Sequence, residues 1–190
     1  MSGSPPTTAA RAAATRVGTP AGTPEATVHV GLRVVLDAPV ATVREALLDP
    51  AVMVAVTRPL LVYRSLEPGG FPERWTPDEP HRVRADAFGV LPSGATHVHL
   101  ERYEVDGVPV QRDVGGGISG LFARMTIRHR MAATATADGR TLLHDRLVYR
   151  TRPWGLGVAL WPGMWVVWQW RGLRMRVLAP TWAARGRSRV

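Results

Sequence analysis

The sequence predicts an α+β protein: a curved antiparallel sheet of about six to seven strands wrapped around one long C-terminal helix, with two short helices after the first strand. Three observations predict it. Val28, Val30, Leu32, Val34 and Leu36 recur with period two, the pattern of a half-buried strand. Strand-like stretches then follow one another, separated by tight turn residues, as in an antiparallel meander. Last comes Pro153–Trp170, which runs 18 residues without a charge and holds five of the seven tryptophans. A meander closed by one long helix leaves a cavity between the two layers.

Residues 1–27 are Ala, Thr, Pro, Gly and Ser without apolar periodicity, and a segment that cannot bury enough surface to offset its ordering entropy is expected to be disordered. It also lacks a continuous apolar leader, so a cytoplasmic protein is expected. The folded domain is expected over 28–182, with a basic tail at 183–190. After the first strand, Asp37 with Pro39 and Asp49 with Pro50 supply start signals for two short helices. The strand-like stretches are LLVYRSL before Pro-Gly-Gly, HRVRADAFGVL before Pro-Ser-Gly, THVHLERYEV before Asp-Gly, VPVQRDV before a glycine run, ARMTIRHRMAATAT before Asp138-Gly139, and RTLLHDRLVYRT before Pro153.

Composition excludes several classes. With 190 residues and no cysteine, the chain forms one domain without disulfides, thiolate nucleophiles or zinc–thiolate sites. The net charge of +9 is uneven. Residues 28–170 hold 16 Arg against 14 Asp plus Glu, whereas the last 20 residues hold six Arg and no acid. A duplex binder needs a basic face built into its fold, so no specific nucleic-acid partner is expected.

Several local stretches resemble the START/Bet v 1-like superfamily, which includes bacterial polyketide cyclase and dehydrase-like proteins. They are LDAPVATVREALLDP, FGVLPSG, RHRMAATATADGRTLLHDRLVYR, and the closing helix ending in RGLRMR, together covering about residues 28–180. The resemblance implies a helix-grip fold and a hydrophobic ligand. It transfers no catalytic residue, because the superfamily includes lipid carriers, cyclases and chaperone-binding modules.

The residues themselves point to His129 and Asp145. Met125, Ile127, His129 and Met131 share one face of a strand whose other face carries Arg124, Arg128 and Arg130, so His129 points inward. Leu143, Asp145, Leu147 and Tyr149 likewise share the face opposite His144, Arg146 and Arg150. A buried carboxylate needs a partner, and the imidazole is the obvious one. Two readings stay open: His129 as a base oriented by Asp145 with Tyr149 as acid, or a structural pair that orders the sheet. His97, His99 and Glu101 have ligand spacing, but Val98 and Leu100 claim the inner face, so no metal is expected. GGGISG matches G-x-G-x-x-G without the helix that should follow, and reads as a flexible loop; no cofactor is expected.

The tryptophan run is too interrupted by Gly, Pro and Gln for a membrane span. At 100° per residue, Trp161, Trp165, Trp168, Gly172, Met175 and Ala179 form one stripe, the expected cavity wall. Arg171, Arg174 and Arg176 fall between it and a second stripe of Val166, Trp170, Leu173 and Val177. The expected ligand contacts are therefore Met125, Ile127, Leu147, Trp161, Trp165 and Trp168. The expected function is a cyclase, aromatase or dehydratase on a polyketide-like substrate. Its alternative is a non-catalytic carrier or sensor of lipid-like ligands. A membrane-apposed interaction protein using the Trp helix and Arg tail is a third class, and membrane contact is not the expected one. The second stripe suggests a homodimer through the Trp170 face.

Overall fold

The computed structural model describes residues 27–187, so the expectations for residues 1–26 and 188–190 lie outside the described residues. The element order is β1 (Val28–Leu36), α1 (Val40–Ala46), α2 (Pro50–Thr57), β2 (Leu61–Ser65), β3 (His81–Ala87), β4 (Leu91–Val98), β5 (Leu100–Val105), β6 (Val108–Asp113), a 3-10 turn at Phe122–Arg124, β7 (Met125–Ala135), β8 (Thr141–Thr151) and α3 (Trp154–Arg187). The strands form two antiparallel ladders, β1-β8-β7-β6-β5 and β2-β3-β4, wrapped around α3. This is the expected helix-grip architecture.

Eight strands stand where six to seven were expected, because THVHLERYEV is broken at His99 between β4 and β5. The turn placed at Pro-Ser-Gly lies earlier. Phe88 and Gly89 take φ of 52° and 74° in a three-residue connection that ends at Val90, and Leu91-Pro92-Ser93-Gly94 already belong to β4. Asp49 caps α2, its carboxylate accepting from the Ala51 N–H at 2.7 Å with Pro50 at the first helical position. Asp37 caps nothing: α1 starts at Pro39 without a side-chain hydrogen bond.

The glycine run after β6 is not loose. It lies along β4, with backbone bonds from His97 N to Gly116 O at 3.0 Å, Ile118 N to Ala95 O at 2.8 Å and Leu121 N to Ser93 O at 2.9 Å. A Cβ at Gly115 would stand 1.7 Å from the His97 oxygen, and one at Gly117 equally close to the Phe122 oxygen. Close backbone approach is what requires glycine there.

The rotation of α3 about its axis differs from the expected one. Its buried face carries Gly157, Trp168, Arg171, Gly172, Met175, Ala179 and Trp182, whereas Trp161 and Trp165 are exposed. The expected stripe is correct only from Trp168 onward. Two polar attachments set the rotation: Tyr149 Oη donates to the Gly157 oxygen at 2.9 Å, and Trp168 and Arg171 both reach Asp145. An apolar stripe alone cannot foresee a buried arginine. The helix also continues past residue 182, into the span expected as a tail. In the second stripe Val166, Leu173 and Val177 are exposed, while Trp170 is partly covered, its indole N–H donating to the Arg58 oxygen at 2.7 Å. No helix among the described residues is long and apolar enough to cross a membrane.

Candidate functional site

Between the sheet and α3 lies a cavity of about 510 Å³. Met125, Ile127 and Leu147 from the two longest strands and Trp168 from α3 line it, as expected from the strand alternation. Trp161 and Trp165 do not. Trp161 turns to the sheet edge, where its indole N–H donates to the His29 oxygen at 3.1 Å, and Trp165 faces outward. Tyr149 is fully buried, but its hydroxyl is committed to the Gly157 oxygen in the first turn of α3 and it does not line the cavity. The acid role expected for Tyr149 has no support in this geometry.

The polar end of the cavity centres on Asp145. In the β7–β8 ladder Met131 is the partner of Asp145 and Leu147 that of His129, so the two polar residues are diagonal neighbours on the inner face. The His129 Nε2 group lies 2.6 Å from Asp145 Oδ1. The same oxygen accepts from Trp168 Nε1 at 3.0 Å, and Oδ2 accepts from Arg171 Nε at 2.9 Å. Burial alone would push the Asp145 carboxyl up; His129 and Arg171 outweigh it and hold the group down at about 2. Asp145 is therefore a carboxylate throughout the physiological range. Arg171 Nη2 also meets the Met131 sulfur at 3.2 Å, and the Trp168 ring stands edge-on to His129 with centroids 5.2 Å apart.

A second aspartate completes the cluster. Asp113 on β6 is the cross-strand partner of His129 on the side away from β8. Its Oδ1 accepts from the His99 N–H at 3.0 Å and the Gly115 N–H at 2.9 Å. Burial pushes this carboxyl above the usual range, and those two bonds and His129 only partly oppose it. Tyr63 on β2 also lines the cavity, and burial raises its hydroxyl to about 12 against the pull of Arg171. It stays a proton donor at any physiological pH. Arg171, Asp113, His129 and Met53 also wall a smaller chamber of about 40 Å³ behind the main cavity.

Three of these groups escaped sequence reasoning. Arg171 falls between the two stripes of the helix, where periodicity does not mark it as buried, although an inward Asp145 demands a cation. Asp113 ends a short, weakly alternating strand. Tyr63 sits in a five-residue strand whose facing cannot be read from pattern. His97 and His99 gain no metal-site geometry: among the described residues no group of three His, Cys, Asp or Glu side chains is placed to hold an ion.

No protein-family model matches the chain, and no curated protein matches it in sequence. Solved structures do. Protein CV1439 from Chromobacterium violaceum is 17% identical at a TM-score of 0.58, covering 80% of this chain and 96% of its own. Hypothetical protein jhp0584 from Helicobacter pylori is 12% identical at 0.59, covering 80% and 88%. A protein from Nitrosospira multiformis is 12% identical at 0.52, covering 80% and 96%. At these identities the likeness shows the fold alone.

Proposed function

We propose that the chain binds a hydrophobic or aromatic small molecule between sheet and α3 and acts on it by cofactor-independent acid–base chemistry of the cyclase, aromatase or dehydratase kind. One observation carries the proposal: an imidazole at the wall of a largely apolar cavity with one nitrogen held by an ionised, buried carboxylate. With Nε2–H given to Asp145, Nδ1 is the nitrogen left as a base. It takes a proton from a carbon flanked by a carbonyl, and Asp145 stabilises the imidazolium that forms. Tyr63, which keeps its proton, replaces Tyr149 as the donor to a developing oxyanion. The polyketide-like substrate class follows from the resemblance noted above.

A carrier reading has its own support. Asp145 accepts from His129, Trp168 and Arg171, so the cluster is electrostatically complete without a ligand. Two measurements separate the readings. Native mass spectrometry of freshly purified protein is expected to show a co-purified apolar mass on either. Exchange of the α-hydrogens of an aryl methyl ketone in D2O is expected to be accelerated by the wild type, and to fall by about 100-fold or more in His129→Ala. Displacement of an apolar fluorescent probe should persist in that variant. Exchange indifferent to His129 leaves the carrier.

A further inference from the structure

The mouth of the cavity is built from segments that share two properties. The β3–β4 hairpin tip, the β6–β7 connection and the start of α3 expose large apolar side chains: Phe88 at 62%, Val90 at 76%, Leu91 at 59% and Trp154 at 65%. Hydrogen bonds join the segments into one rim, from Leu121 N to Ser93 O at 2.9 Å and from Arg152 N to Arg124 O at 3.0 Å. Phe88 from the hairpin, Leu121 from the connection and Val166 from α3 all line the cavity itself, so the rim surrounds its opening.

The second property is charge. Residues 57–61, 87–93, 114–124 and 152–168, which make the rim and its neighbourhood, contain Arg58, Arg124 and Arg152 and no Asp or Glu. All three arginines are exposed. A rim of exposed aromatic and aliphatic groups flanked by arginines, with no carboxylate within these segments to repel phosphate, matches an anionic bilayer surface. A protein partner of ordinary mixed charge would need acid–base pairs that this rim cannot supply.

We propose that this rim docks on anionic membranes, so that an apolar guest passes between bilayer and cavity without crossing water. The docking goes beyond the cavity's proposed chemistry and does not depend on it. Apolar contact supplies the adhesion, and the arginines select the surface. The chain lies on the membrane and does not span it.

Flotation of the full chain with vesicles tests this directly. Binding to phosphatidylcholine vesicles containing 30% phosphatidylglycerol (about a third anionic, to give a working surface charge) is expected to exceed binding to pure phosphatidylcholine by about tenfold or more. The double variant Phe88→Asp/Val90→Glu is expected to lose at least about tenfold of it. Both positions are exposed, and Asp tolerates the positive φ of residue 88, so folding should be retained. Val177→Glu alters a comparably exposed apolar side chain roughly 16 Å beyond Val166 along α3 and is expected to bind as the wild type does. Wild type that ignores anionic vesicles overturns the proposal. So does binding unchanged in the double variant, or binding lost equally in Val177→Glu. A wild-type dimer that the double variant turns into monomers, without vesicle binding, would assign the rim to a second copy instead. Binding of an apolar fluorescent probe without vesicles reports the cavity separately, so failure of one reading is distinguishable from failure of the other.

Discussion

Burial and charged partners compete at a buried carboxylate, and the two aspartates flanking His129 are shifted in opposite directions. Asp145 is held at about 2, below its ordinary 3.8, so its contribution to stability is complete above about pH 4 and is lost as pH falls toward 2. Asp113 is shifted the other way, so its contribution falls as pH rises through its raised value. The two isosteric variants should therefore diverge. At pH 7 Asp145→Asn is expected to lose about 2 kcal/mol of unfolding free energy, and the loss should shrink below pH 4. Asp113→Asn should gain about 1 kcal/mol at pH 7, since an amide oxygen can keep both backbone bonds, and the gain should vanish in acid. Urea titrations at pH 7 and pH 3 read both; equal behaviour of the variants would refute the assignment. His129 and Asp145 could be read from the sequence because arginines mark the outer faces of their long strands. Asp113 and Arg171 could not. Nothing in a strand of six residues fixes which face is wet, and a buried cation is foreseen only once its carboxylate is known to face it.

At the scale of the element, α3 shows how far periodicity reaches. A helix with apolar residues almost all round has no unique stripe, so its rotation is set by its few polar commitments. Those commitments, Trp168 and Arg171 to Asp145 and Gly157 to Tyr149, come from the inner face of β8, the strand just before the helix, and no periodicity within α3 reveals them. The glycines divide in the same way between local and tertiary causes. A Cβ at Gly163 on α3 meets nothing within 4 Å, so Gly163→Ala is expected to stabilise the fold by up to about 1 kcal/mol through helix propensity. A Cβ at Gly117 would meet the backbone of Phe122, so Gly117→Ala is expected to cost about 3 kcal/mol. Thermal or urea unfolding of the pair checks the opposite signs. Both glycines look alike in the sequence, because what distinguishes them is the backbone across the gap.

At the scale of the whole molecule, the chain order alone made the architecture legible: one strand, two short helices, a meander and a closing helix admit few arrangements. The division into two ladders was not legible, since a bend at one residue, His99, leaves no mark on alternation. Composition also sets an expectation for the N-terminal segment. Deleting residues 1–26 is expected to shift the thermal midpoint by no more than about a degree, because no apolar period links them to the core. A clear fall in the midpoint would show that the segment docks.

One wall of the cavity is made by the glycine-rich connection lying on β4, a short row of loop-to-strand bonds in place of a full ladder. Such rows break at lower free energy than strand ladders, because fewer bonds and less buried surface hold them. The molecule therefore has a seam with its own clock. Amides of Ile118 and Leu121 should exchange with deuterium well before those of β7 and β8. A guest too bulky for the mouth would load at the rate at which that seam parts, independent of its own concentration once in excess.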